Sequence, residues 1–133
     1  MIRWNSAKHF AALTAFVGLL ACDDPGGVGC TAEFRMIRLV ITDKAGSPAD
    51  SVDFTVRLVR TGEVLNHTTP GPNPTGTYLL IDDGATTKLQ PTGEQVRAVA
   101  IRGPAAAQAD FLIGVPGGCH VQKVSGPDTL ALP

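Results

Sequence analysis

No G-x-S-x-G elbow, H-E-x-x-H pair, glycine-rich phosphate loop or C-x-x-C pair occurs in the 133 residues. With them go the short signatures of nucleophilic hydrolases, zinc proteases, nucleotide binders and thiolate metal sites. A basic excess is missing as well: 11 Lys and Arg stand against 12 Asp and Glu, which leaves no electrostatic footprint for nucleic acid. Nor is there an apolar run of the roughly 20 residues that a permanent membrane-spanning helix needs. Charged residues are only 17% of the chain and apolar ones 44%, the reverse of a disordered polypeptide. Length allows one domain and no second core.

What the chain has in quantity is Gly, 15 residues, and Pro, 10 residues. Punctuation this frequent points to many short connections and favours an all-β architecture over a helical one. The N-terminus is different. Met1 to His9 carries Arg3 and Lys8 and no acid, and Phe10 to Ala21 is an uncharged run ending in the small Ala21 before Cys22. This is the basic, apolar, small-residue order of a secretory leader. Without Arg3 and Lys8 the remainder holds 9 basic residues (11 minus 2) against 12 acidic ones, a net charge of −3.

The stretch Leu19-Leu20-Ala21-Cys22 resembles the lipobox of bacterial lipoproteins. That resemblance implies a diacylglyceryl group on the Cys22 thiol, cleavage before Cys22 and acylation of the new α-amine. Two or three acyl chains hold a soluble domain on a membrane where one would exchange. The other reading of the same residues is an ordinary cleaved leader followed by a structural cysteine. Asp23 resembles the inner-membrane retention residue of enteric lipoproteins, a rule that differs among bacteria, so inner and outer membrane both stay open. The organisation expected is a signal peptide over 1–21, a flexible Gly-rich tether over 22–29 and one domain over 30–133.

Three cysteines in an exported chain leave one odd thiol. Lipidation of Cys22 removes it and leaves Cys30 and Cys119 as the candidates for a disulfide in an oxidising compartment. The alternative is a metal held by Cys30, Cys119, His120 and His67, for which no ligand spacing speaks.

From Cys30 the hydrophobic period becomes two. Ile37, Leu39 and Ile41 alternate with Arg38, Val40 and Thr42, while Phe34 and Met36 fall in the opposite phase, so a bulge is expected near Met36 or a strand buried on both faces. Asp43 to Pro48 is turn chemistry. Val52, Phe54, Val56 and Leu58 form the cleanest amphipathic strand and should point into the core. Thr61 to Val64 reads as a turn. His67 to Gly76, with Pro70, Gly71, Pro72, Asn73 and Pro74, is too rich in proline for a ladder and is expected to be an exposed loop and candidate contact surface.

Gly76 to Ile81 is a third strand, closed by Asp82-Asp83-Gly84, which reads as a solvated turn. Gln95 to Arg102 is a fourth strand whose buried face the sequence leaves open. Ala105 to Ala109 suggests a single helical turn, and Phe111, Ile113 and Val115 a fifth strand. In a sixth, Cys119, Val121 and Val124 face inward and His120, Gln122 and Lys123 outward; Leu130 and Leu132 are buried in the last. About seven short strands with turns between them fit a single antiparallel β-sandwich.

The run from Arg38 to Val59, with its Asp-Lys-Ala-Gly-Ser-Pro-Ala-Asp turn, resembles carboxypeptidase regulatory-like domains, as do Gly76-Thr77-Tyr78 and Cys119-His120-Val121-Gln122. The resemblance implies a transthyretin-like sandwich that serves as a binding or spacer module, with no catalysis and no cofactor. Asp82 to Ala109 departs from that family's compact turn. The function expected is thus a lipoprotein anchored through Cys22 to a membrane, outside the cytoplasm, binding an envelope protein or glycan or serving a structural role. The alternative is a metal-dependent hydrolase component using His67, His120 and nearby acids.

Overall fold

The computed structural model describes residues 29–133. The expected leader, Cys22 and most of the expected tether lie outside them. Eight strands form in chain order: β1 Met36–Thr42, β2 Asp53–Leu58, β3 Val64–Thr68, β4 Thr77–Asp82, β5 Glu94–Arg102, β6 Ala105–Gly114, β7 Gln122–Ser125 and β8 Thr129–Ala131. They make two sheets, one of order β4-β1-β8 and one of order β3-β2-β5-β6-β7. The fold is an all-β sandwich. Every strand pairing is antiparallel except that of β1 with β8, which runs parallel over Val40–Thr42 and Thr129–Ala131.

The alternating strands bury the side chains their period selects. Leu39 and Ile41 from one sheet meet Val52, Phe54, Val56, Leu58, Val96, Ala98, Ala100, Phe111 and Ile113 from the other, all buried. The rings of Phe54 and Tyr78 span the two sheets at 5.5 Å between centroids, within the range of favourable aromatic pairs. Tyr78 also donates its hydroxyl hydrogen to Ala49 O (3.0 Å) and accepts from Val52 N–H (3.3 Å), so a buried phenol is satisfied and the β1–β2 connection is tied to β4. The face of β5 left open by the sequence is settled: Val96, Ala98 and Ala100 point inward.

Register assigns two ends to the sandwich. Met36 pairs with Asp82 and Val40 with Thr77, so the start of β1 and the end of β4 share the end nearest Cys30. The β1–β2 loop, the β3–β4 loop and the β5–β6 turn lie at the other, because Gly76 O accepts Ile41 N–H and Asp53 pairs with Ile101.

Several expectations change. The ladder of β1 with β4 slips between Ile37 and Arg38, but the extra residue is Leu80 of β4; β1 itself alternates without the bulge expected near Met36, and both Phe34 and Met36 are exposed on its outer side. Strand β3 was not anticipated. Val64-Leu65-Asn66-His67-Thr68 is mostly polar, which an edge strand tolerates because one of its sides faces solvent. The proline-rich loop therefore begins after Thr68 rather than at His67. Ala105 to Ala109 extends β6 and pairs with Ala98–Arg102; the ladder to β5 outweighs a lone helical turn that could not stand by itself. Val124 is exposed rather than inward, and β7 starts at Gln122, after Cys119.

Candidate functional site

The Cys30 end concentrates the chain's polar chemistry. Cys30 and Cys119 form a disulfide across 89 positions, with Cα atoms 5.3 Å apart. It sits at the surface, with Cys119 half-buried rather than pointing into the core. Next to it the Thr31 hydroxyl lies 2.9 Å from His120 Nε2, and His120 Nδ1 lies 2.7 Å from Asp83 Oδ2. Asp83 accepts two main-chain hydrogen bonds as well, from Arg35 N–H at 2.8 Å and from Val121 N–H at 2.8 Å.

Local sequence explains how Asp83 gets there. Asp82 ends β4 and caps a 3-10 helix over Asp83–Lys88, accepting Gly84 N–H at 2.9 Å. That turns the neighbouring carboxylate toward the N-terminal segment and the loop before β7. Asp82-Asp83-Gly84 is thus not a solvated turn, and His120 does not face outward: their side chains are 10% (Asp83) and 13% (His120) exposed. Burial works to raise the Asp83 pKa, but the Arg35 N–H, His120 and the Val121 N–H outweigh it and bring the group from 3.8 down to about 2.

Hydroxyl, imidazole and carboxylate in this order also occur where a nucleophile is activated. Here the carboxylate is engaged at once by two main-chain groups from distant segments. The arrangement is a clamp that joins residues 31–35, the turn after β4 and residues 120–121.

His67 stands elsewhere. On β3 it pairs across from Thr55 and lies 2.9 Å from Asp53 Oδ1, toward the end of the sandwich opposite Cys30. His67 and His120 therefore do not converge; each meets one carboxylate of its own. Among the described residues no group of three His, Cys, Asp or Glu side chains is placed to hold a metal ion.

The loop with Pro70, Gly71, Pro72, Asn73 and Pro74 occupies that far end as an exposed connection, but its base is built. Asn73 N–H donates to Asp50 Oδ1, Asn73 Nδ2 to Thr77 O at 2.9 Å, Thr75 Oγ1 to Asn73 Oδ1 at 2.9 Å and Gly76 N–H to Asn73 O at 3.0 Å. Gly76 is required there. Its φ is +61°, and a Cβ would lie 2.6 Å from Ile41 O and 3.0 Å from both Ala49 N and Pro48 Cα, backbone atoms that cannot rotate away.

At the Cys30 end an open groove of about 480 Å³ is lined by Glu33, Phe34, Arg35, Met36, Ile37, Arg38 and Val121. Phe34 is 61% and Met36 50% exposed. Reading the sequence placed neither this groove nor the Asp83 clamp. Phe34 and Met36 did carry a signal, since they fall out of phase with Ile37, Leu39 and Ile41. The clamp had none, because Asp83 meets partners 48 and 38 positions away. Cys22, the residue expected to carry lipid, lies outside the described residues. No protein-family model, no curated protein and no solved structure matches the chain.

Proposed function

We propose that the chain is a bacterial lipoprotein, anchored outside the cytoplasm through acyl chains on Cys22, whose β-sandwich presents the Pro70–Gly76 loop to an envelope protein or glycan. The observation that carries this is the polarity of the domain. Cys30, eight positions after Cys22, is bonded to one end of the sandwich, and the loop projects from the other. Eight extended residues reach at most about 28 Å, so the anchor tethers the Cys30 end and leaves the loop end facing away from the bilayer.

Two features support a binding or spacer module in place of an enzyme. The histidines sit in separate pairs at opposite ends, and the loop rests on hydrogen bonds among Asp50, which accepts, Asn73 and Thr75 that hold its shape before any partner arrives, which lowers the ordering cost of binding. The likeness of Arg38–Val59 to carboxypeptidase regulatory-like domains points the same way.

Site-specific photo-crosslinking in intact cells tests the reading. A crosslinker at Pro72 should form a discrete adduct with an envelope protein or glycan. One at Arg97, on the outer surface of the larger sheet, should not. Equal adduct patterns at both positions, or none at Pro72, would remove the loop from this role.

A further inference from the structure

Seven large apolar side chains are exposed on the described residues: Phe34, Met36, Val40, Val59, Val64, Ile101 and Val124. Their distribution is uneven. Phe34 and Met36 precede or open β1, and Val59 and Val64 flank the β2–β3 turn, which Lys88 ties to the 3-10 helix after β4 through a 2.8 Å contact with Glu63. All four therefore belong to the Cys30 end. None is needed for the core, which closes without them.

The charges of that end are arranged to match. Glu33 faces Arg35 at 3.5 Å, Glu63 faces Lys88 at 2.8 Å and Glu94 faces Arg60 at 3.3 Å, while Asp82 and Asp83 are committed to the helix cap and the clamp. Arg38 stands apart. It lies on the groove beside Met36, with Nη2 3.9 Å from Met36 Sδ, and no carboxylate pairs with it among the described residues. An end whose acids are neutralised and whose groups unpaired among the described residues, Arg38 and on β2 Arg57, are cationic suits an anionic surface, although the 22–133 chain is net negative.

We infer that this end is a second membrane contact: Phe34 and Met36 enter the interfacial layer of the bilayer that carries the lipid anchor, and Arg38 meets its anionic phospholipid headgroups. The inference rests on the lipoprotein reading, because it is the short tether from Cys22 that brings this end to the bilayer. Arginine keeps its head in the headgroup layer while its stem lies along apolar surface, and apolar side chains beside basic ones are how interfacial contacts form. The patch is rigidly mounted. The disulfide and the Arg35 N–H bond to Asp83 fix the segment before β1, and the ladder to β4 fixes Met36. The contact would set the domain upright, with the Pro70–Gly76 loop pointing outward.

The sole tryptophan, Trp4, lies in the leader, so Phe34→Trp places a single tryptophan, excitable apart from Tyr78, in the mature chain at an exposed site where folding is not at stake. Lipidated protein carrying Phe34→Trp or, separately, Pro72→Trp is reconstituted into vesicles of phosphatidylethanolamine and phosphatidylglycerol containing brominated phospholipid. Flotation with the vesicles reports the anchor, and quenching reports the contact. The expected result is flotation of both, with quenching of the Phe34→Trp protein at least about fivefold stronger than that of the Pro72→Trp protein, and a loss of about half of it on adding Arg38→Glu. Flotation with equally weak quenching at both positions overturns the contact and leaves the anchor intact. Absence of flotation overturns the anchor and the contact together. Quenching that Arg38→Glu leaves unchanged overturns the headgroup contact. Concentration-dependent burial of the Phe34→Trp fluorophore without vesicles assigns the patch to a second copy of the chain and likewise overturns it.

Discussion

Replacing Cys30 and Cys119 together by serine removes a cross-link between positions 89 apart. With that separation as the loop length, the chain-entropy relation gives about 15.5 cal/mol/K, or about 4.6 kcal/mol at 25 °C. Small domains are stable by roughly 5–15 kcal/mol in total, so most of the margin of a sandwich this size is at stake. Urea unfolding followed by far-ultraviolet circular dichroism measures it. Both proteins should carry Cys22→Ser, so that only the bridge differs. With an m value of about 1.5 kcal/mol/M the midpoint should fall by about 3 M. Amide exchange adds a local reading. The N–H groups of Arg35 and Val121, both held by Asp83, should lose protection earlier than those of β2 and β5, since the bridge keeps their segments in register. A midpoint that falls by less than about 0.7 M would refute the reasoning, because it would mean that the unfolded chain gains almost no freedom when the bridge is cut.

The remaining expectations concern single features. Asp83 has a folded-state pKa of about 2 against 3.8 ordinarily; a lowered carboxylate contributes stability above its unfolded value and loses it as pH falls through the folded one, so unfolding midpoints should decline between about pH 4 and pH 2. Asp83→Asn should flatten that decline, and an unchanged acid limb would contradict the clamp. Gly76→Ala forces a left-handed alanine against the backbone of Ile41, Pro48 and Ala49 and should cost about 3 kcal/mol by chemical unfolding. Gly126→Ala should cost at least as much, since its Cβ would lie 2.3 Å from Cδ1 of buried Phe111; a loss below about 1 kcal/mol at either glycine would show that the turn yields. The Arg97–Asp110 pair makes two short contacts, 2.6 and 2.8 Å, on an exposed face, so Asp110→Ala should change stability by less than about 1 kcal/mol, and a larger loss would mean that solvent does not screen it.

How much of this was legible depended on whether the information was local. Val52, Phe54, Val56 and Leu58 declare their strand because alternation and burial coincide within seven residues. The Cys30–Cys119 pairing followed from counting thiols once Cys22 was set aside. Strand β3 was hidden because Val64–Thr68 lies at an edge, where polar residues satisfy the ladder on one side and water on the other. The start of β6 was hidden by alanine, whose small side chain fits a helical turn or a strand and which β5 recruits through pairing of Ala105–Ala109. Asp83 looked like turn material because its three neighbours in sequence are polar or small; its partners at Arg35, His120 and Val121 exist only after the sheets have closed. The out-of-phase Phe34 and Met36 were visible as an anomaly, and its geometric cause is that β1 keeps its alternation and turns Met36 to the outer face with Arg38 and Val40.

Cys22 is the residue on which the tether, the orientation of the domain and the contact at Phe34 and Met36 all depend. Cells fed radiolabelled palmitate, with the protein recovered by immunoprecipitation, give the most direct test. Label in the wild-type protein and none in Cys22→Ser, which should also accumulate with its leader uncut, is the predicted result. Equal labelling of the two proteins, or label in neither, would contradict the anchor.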